Sequence, residues 1–318
     1  MPFACGLVSA ACDADEATRS PAEVAADERQ YEDNGFRLNG FRLNGFRLNG
    51  FRLNGAVLGG DDGSGAWIVL NHLSLAGEAP VTKSWLAGSD LHVELSGGAV
   101  LAGEQLTGAV LEFVVADGSG SDKQVTTVRI DGVEPLEPGS DVWLYDLVVS
   151  DEKSVWEPLC VDGDGEPTGA ILLGDVWDPD SGDRVVPRPS GAVTFACRDA
   201  ALAKCVEWGY APWRSVDDVA LADHHQACTR AVRADYCGDG TPHTVDGLTV
   251  HFIDDLGVQV ADESPPYLVE AEWGPDGALC IEPDNTRLPD PAITCGDLPP
   301  CGETFASGGL VQTGVPAE

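Results

Sequence analysis

Between His225 and Thr244 the chain reads His-Gln-Ala-Cys-Thr-Arg-Ala-Val-Arg-Ala-Asp-Tyr-Cys-Gly-Asp-Gly-Thr-Pro-His-Thr, which puts two cysteines, two histidines and two aspartates into twenty residues. A thiol hydrolase could be assembled from these. Cys237 would attack, His243 or His225 would take its proton, and Asp235 or Asp239 would orient that base. Position argues against this chemistry. The apolar spacing upstream predicts a helix that ends just before Cys237, and the negative end of a helix dipole raises a thiol pKa. Cys160, Cys197, Cys205, Cys228, Cys280, Cys295 and Cys301 are also available as disulfide partners. Gly238-Asp239-Gly240-Thr241-Pro242 reads as a tight turn, with His243 placed to hydrogen-bond a backbone carbonyl across it. No catalytic residue is favoured.

Other chemistries have weaker signatures. With 53 acidic residues some pair of carboxylates will always suit a glycosidase, so composition alone carries nothing. Gly-x-Ser-x-Gly, His-Glu-x-x-His and Walker motifs do not occur. Zinc lacks a repeated Cys-x-x-Cys, and His225-x-x-Cys228 is half a site. No cofactor is expected, and calcium is the one candidate. Asp162, Asp164 and Glu166 alternate around glycines as hard cations prefer, and the run from Asp178 to Asp183 does so less completely. His224 and His225 are adjacent, so their side chains diverge by about 100° on a helix, and they read as a surface pair.

The elements that must position these residues come from periodicity. A short helix is predicted over Asp199–Trp208. A longer one is predicted over Val216–Arg233, with Ser215 as N-cap and Asp217 and Asp218 in its first turn. Val219, Ala220, Ala227, Cys228 and Ala231 form its apolar stripe, flanked by His224, His225 and Arg230. Upstream, alternating runs at Trp67–Leu70, Leu91–Leu95, Val110–Val115, Val125–Ile130 and Val142–Val149 read as short antiparallel strands. Trp143, Tyr145, Trp156 and Trp177 read as their core aromatics rather than a sugar platform. Further strands are expected at Leu248–Ile253, Tyr267–Trp273 and Ala278–Ile281, followed by a Pro- and Cys-rich tail.

Ala234-Asp235-Tyr236-Cys237 does not stand alone. With Lys204-Cys205-Val206-Glu207-Trp208-Gly209-Tyr210-x-Pro212-Trp213 before it and Trp273-Gly274-Pro275-Asp276-Gly277-Ala278-x-Cys280 after it, the C-terminal half resembles the bacterial ADYC-domain proteins. That resemblance is a family label and implies no activity.

Composition sets the surroundings. Against the 53 acidic residues stand 18 basic ones, of which four are lysines, for a net charge of −35. Nucleic acid is excluded as a partner, because phosphate binding needs clustered Lys and Arg. Ten cysteines, eight of them from Cys160 onward, read as disulfides made in an oxidising compartment. Eight cysteines permit about a hundred pairings, so connectivity is open. The apolar start ends in Ser9-Ala10-Ala11-Cys12, similar to a lipoprotein cleavage box with Cys12 as the acylated residue. A lipid there would be the only membrane contact expected.

The expected organisation is a truncated export signal over 1–12, an acidic tether over 13–35 and Phe-Arg-Leu-Asn-Gly pentads over 36–60. A β-rich domain over 61–190 and a cysteine-rich ADYC-type domain over 191–318 follow. The fold class is α+β: a β-rich antiparallel sandwich or barrel-like region, then a small disulfide-stapled α+β domain with two helices. The expected role is an exported, envelope-anchored binding or structural protein for a surface ligand that the sequence does not identify. A wall or polymer hydrolase using Cys228–His243 and a calcium-dependent adhesion module are the alternatives.

Overall fold

A computed structural model describes residues 67–317 apart from 117–122, 151–154, 163, 179–180, 187–191, 199, 246, 261–265 and 290–291, together with strand pieces at 31–34, 42–43, 46–47, 51–52 and 57–58. Cys12 and most of the tether and pentads lie outside the described residues.

One large antiparallel sheet runs in the order Phe51–Arg52, Ala192–Cys197, Ala170–Leu173, Trp143–Ser150, Lys123–Pro135, Val110–Ala116, Trp67–Ser74 and Val57–Leu58, with Trp156–Pro158 beside Trp143–Ser150. Val57–Leu58 also approaches Ala192–Cys197 from the far edge, so the sheet curls towards a barrel. Val81–Ala87, Asp90–Leu95 and Val100–Ala102 form a second, three-stranded sheet. Its inward residues Leu91, Val93 and Leu95 share a core with Leu111, Val128, Ile130 and Phe195 of the large sheet. The Tyr145 hydroxyl joins the two, accepting the Leu91 N–H at 2.8 Å and donating to the Ser89 carbonyl at 3.3 Å. Trp177 and Tyr145 are buried as expected of core aromatics. Trp156 is not: it is 38% exposed, with the Arg129 guanidinium over its ring.

Side chains alternate across a strand, so the same strands feed a second core. Tyr145, Ala170, Leu172 and Phe195 face the first core, while Leu144, Ile171, Leu173 and Ala196 face outward. There they meet Leu202, Ala203 and Val206 of helix α1 (Ala201–Glu207). Ala170–Leu173 is buried on both faces. An unbroken apolar run of that kind carries no alternation by which to recognise it as a strand.

The opposite side of α1 presents Ala201 and Cys205, and its C-cap presents Trp208, to a third core. This one lies beneath helix α2 (Ala222–Arg233). Its floor is a five-stranded antiparallel sheet in the order Tyr31–Asn34, Leu248–Asp254, Val311–Pro316, Tyr267–Gly274 and Gly277–Ile281. Cys205–Cys228 staples α1 to α2, and Cys160–Cys197 closes the β-rich part. Helix α1 belongs to two cores, one on each of its sides.

Two expectations fail here. The long helix does not begin at Val216. Ser215–Val216 and Val219–Ala220 pair as a small hairpin, with Asp217 and Asp218 in its turn at φ of 48° and 66°. A two-residue hairpin turn needs positive φ at both central positions, which aspartate tolerates, and the helix starts only after Leu221. Nor are His224 and His225 a surface pair: they are 2% and 0% exposed. Helix α2 is enclosed on all sides, and it is buried continuously from His224 through Arg233. Val219, expected on the apolar stripe, is exposed.

Candidate functional site

Helix α2 ends at Ala234, which adopts the left-handed conformation (φ 50°, ψ 43°) and returns its N–H to the helix. The Asp235 N–H then donates to the Arg230 carbonyl at 2.9 Å. This reversal drives Asp235 into the interior, where it is completely buried. Its carboxylate accepts the Asp239 N–H at 3.1 Å, the Gly240 N–H at 3.0 Å and the Arg230 Nη1 at 2.6 Å. A carboxylate so engaged holds a turn in shape and has no exposed edge with which to orient a base.

Arg230 is equally buried and reaches three chain segments. Besides Asp235, it donates from Nη1 to the Ser181 carbonyl at 2.6 Å, from Nη2 to Asp183, and from Nε to the Pro275 carbonyl at 3.1 Å. One turn earlier, Gln226 donates to the Gly182 carbonyl at 2.9 Å and accepts the Trp177 indole N–H at 2.7 Å. The acidic segment ending at Asp183 thus receives its positive charge from the chain itself: Asp183 and Ser181 bind a guanidinium.

Tyr236 points the other way, towards the sheet. Its ring stacks on Trp273 at 5.2 Å and tilts against His243 at 5.5 Å, while its hydroxyl donates to Glu270 Oε1 at 2.7 Å. Burial and the Glu270 charge push the tyrosine pKa far up. Glu270 is fully buried and held by the Arg287 guanidinium and the Thr313 hydroxyl. Burial raises its carboxyl pKa, but the charge of Arg287 and these hydrogen bonds outweigh that, and the net shift is downward. Arg287 also donates from Nη1 to the Ala231 carbonyl at 2.9 Å, so a cation caps the negative end of α2.

Cys237 is bonded to Cys295, and Cys280 to Cys301, so the proposed nucleophile carries no free thiol. Next to it Gly238 has φ of 66°, and a Cβ there would lie 1.9 Å from the Asp276 carbonyl oxygen. Gly277 faces it with φ of 122°, where a Cβ would come within 2.8 Å of the Tyr236 carbonyl. That carbonyl accepts the Ala278 N–H at 3.0 Å. The two glycine-bearing motifs, with Gly238 and Gly277 well separated in sequence, are therefore two sides of one backbone contact. Asp239 caps its own turn through the Thr241 N–H at 2.9 Å. His243 does meet a carbonyl across the turn, but through its backbone N–H, to Arg233 O at 3.1 Å.

The remaining expected site residues are dispersed. His225 lies against Trp177 and pairs through Nε2 with the Leu202 carbonyl at 3.0 Å, remote in role from any base. Burial lowers its pKa from 6.5 to about 4, against the opposing pull of the Leu202 bond. His224 pairs with Asp255 at 2.7 Å. Asp162 accepts the Asp164 and Glu166 amides, both at 2.9 Å, while the side chains of Asp164 and Glu166 face solvent. Among the described residues no three His, Cys, Asp or Glu side chains converge as a metal-binding group. The Tyr210 hydroxyl donates to Asp254, whose carboxylate also caps the Leu256 and Val258 amides. Glu270, Arg287 and Asp254 drew no notice in sequence, where a strand carboxylate or a tail arginine has no distinguishing spacing.

What these contacts define is a disulfide-stapled α+β protein in which a helix terminus is locked onto a hairpin. A profile of the ADYC domain matches residues 103–287, well over half the chain, and the protein belongs to the ADYC-domain family. Searches of curated proteins and of solved structures return no match. The four disulfides among the described residues fit an oxidising, extracytoplasmic environment. Among the described residues no helix is long and apolar enough to cross a membrane.

Two outcomes are expected. Gly238→Ala places a methyl into backbone that cannot yield cheaply, and should cost about 4 kcal/mol or more in urea unfolding; a loss below about 1 kcal/mol would contradict the contact. Stability should also depend on pH through His225. Neutral in the fold down to about pH 4, it binds a proton below pH 6.5 once unfolded, so its contribution is full above 6.5 and is lost as pH falls from 6.5 to about 4. The decline should total ~3 kcal/mol. His225→Leu should flatten that limb while leaving the further loss at still lower pH to which the depressed Glu270 carboxyl contributes.

Proposed function

We propose that this chain is an exported binding or structural module of the cell envelope, attached through an acylated Cys12 or released, and that its ADYC segment locks the fold instead of performing a reaction. The observation that carries this reading is that Asp235, Tyr236 and Cys237 are each committed to a structural partner: Arg230, Glu270 and Cys295. A hydrolase built on this segment would need one of them uncommitted. The net charge of −35 favours a ligand that is neutral or cationic and disfavours any polyanion.

Cys237→Ser separates the two functions. As part of a lock, the substitution should lower unfolding stability by ~2–5 kcal/mol and reduce the yield of exported protein. The opposite result, a variant as stable as the parent that has lost a hydrolytic activity on wall polymers, would sink the proposal.

A further inference from the structure

The middle strand of the five-stranded sheet is supplied by the end of the described chain. Val311–Pro316 lies between Leu248–Asp254 and Tyr267–Gly274 and is antiparallel to both. Both walls fall within the ADYC match, which ends at residue 287; the strand that fills the slot does not. Without it neither wall has its partner on that side, and two rows of backbone donors and acceptors face an open gap.

The slot also reads the strand's side chains. Val311 enters the core under α2. Thr313 accepts the Trp273 indole N–H and donates to Glu270, both at 2.8 Å. Gly314 lies beneath His251 and Tyr267, whose rings stack at 3.9 Å from opposite walls, and a Cβ there would sit 2.2 Å from the Tyr267 ring.

The loop leading to the strand has the reach to deliver it to a neighbouring copy, and it carries strain when closed. From Cys301, anchored to Cys280 on the outermost strand, residues 302–310 cross one strand to reach the slot. These nine residues could span roughly 30 Å if extended, where two strand spacings need only about 10 Å. The excess is folded into tight turns, closed by Ala306 N–H to Glu303 O and Gly308 N–H to Phe305 O, with Phe305 forced to a φ of 58°. A bulky residue in that region is strained. The loop also covers Glu272, a fully buried carboxylate whose hydrogen-bond donors among the described residues are the Ser307 N–H and the Gln312 amide, both neutral. Opening the loop relieves the strain at Phe305, gives up the Ser307 N–H to Glu272 bond and leaves the strand itself unchanged.

We infer that the slot is a strand-acceptor site and that its second occupant is Val311–Pro316 of another copy of this chain, giving a dimer by exchange of this strand. A strained hinge joining a separately recognised strand to a preformed slot is the combination that favours such exchange.

The full-length, disulfide-intact protein should be concentrated, opened briefly in moderate urea and returned to buffer, then followed by native mass spectrometry. A dimer that grows with concentration is expected. After mixing light and isotopically heavy protein, cross-links from 311–316 to either wall should join light to heavy chains. Phe305→Gly, which removes the strain at an accessible hinge, should lower the dimer fraction about fivefold or more. Absence of a dimer at any concentration would overturn the inference. So would a dimer whose 311–316 cross-links stay within one chain, one that dissolves on reduction, or one that Phe305→Gly leaves unchanged.

Discussion

A buried guanidinium holds this structure together. Arg230 has no exposed surface, and such a charge is tolerated only where its donors find oxygens. The surrounding chain supplies them from three places: the 181–183 loop of the β-rich part, the Pro275 hairpin turn and Asp235. Each segment is bent to suit. Ala234 takes a left-handed conformation so that Asp235 can turn inward, and Gly238 and Gly277 lack side chains so that the two turns can touch. Buried pairs of this kind add little net stability over an apolar core, but removing one partner is costly, and their geometry admits few alternatives. The ADYC motif is the local chain chemistry that this geometry demands.

Much of the scaffold was legible in the sequence. Half-buried antiparallel strands such as Asp90–Leu95 alternate cleanly and announce themselves. Ala170–Leu173, buried on both faces, and Val311–Pro316, short and containing glycine and proline, do not. The helix start was misread because Asp217 and Asp218 suit a helix N-terminus and a positive-φ hairpin equally well, and only the pairing of Val216 with Val219 decides between them. His224 and His225 look like surface residues in sequence, yet burial followed from a third layer, α1 and the barrel wall, which no local pattern encodes.

The site was legible in its members and not in its meaning. Cys228, Cys237, Asp235 and His243 stand out by density, as reactive groups would, but a lock built from charged and sulfur-bearing residues has the same composition as a catalytic centre. What separates them is partnership. The partners, Arg287, Glu270, Cys295 and the 181–183 loop, are distant in sequence. The acidic loops carry the same lesson: Asp183 has oxygens suited to a cation, and the cation it receives is Arg230.

The central claim is that the carboxylate of Asp235 is structural, and the most direct measurement is the unfolding free energy of Asp235→Asn beside Arg230→Met and the double variant. The single substitution Asp235→Asn should cost ~3–5 kcal/mol because it removes the buried counter-charge of Arg230 and leaves only the exposed Asp183, and the double variant should recover part of that loss. If Asp235→Asn unfolds like the parent, or if the two losses simply add, the buried pair does not organise this fold and the account fails.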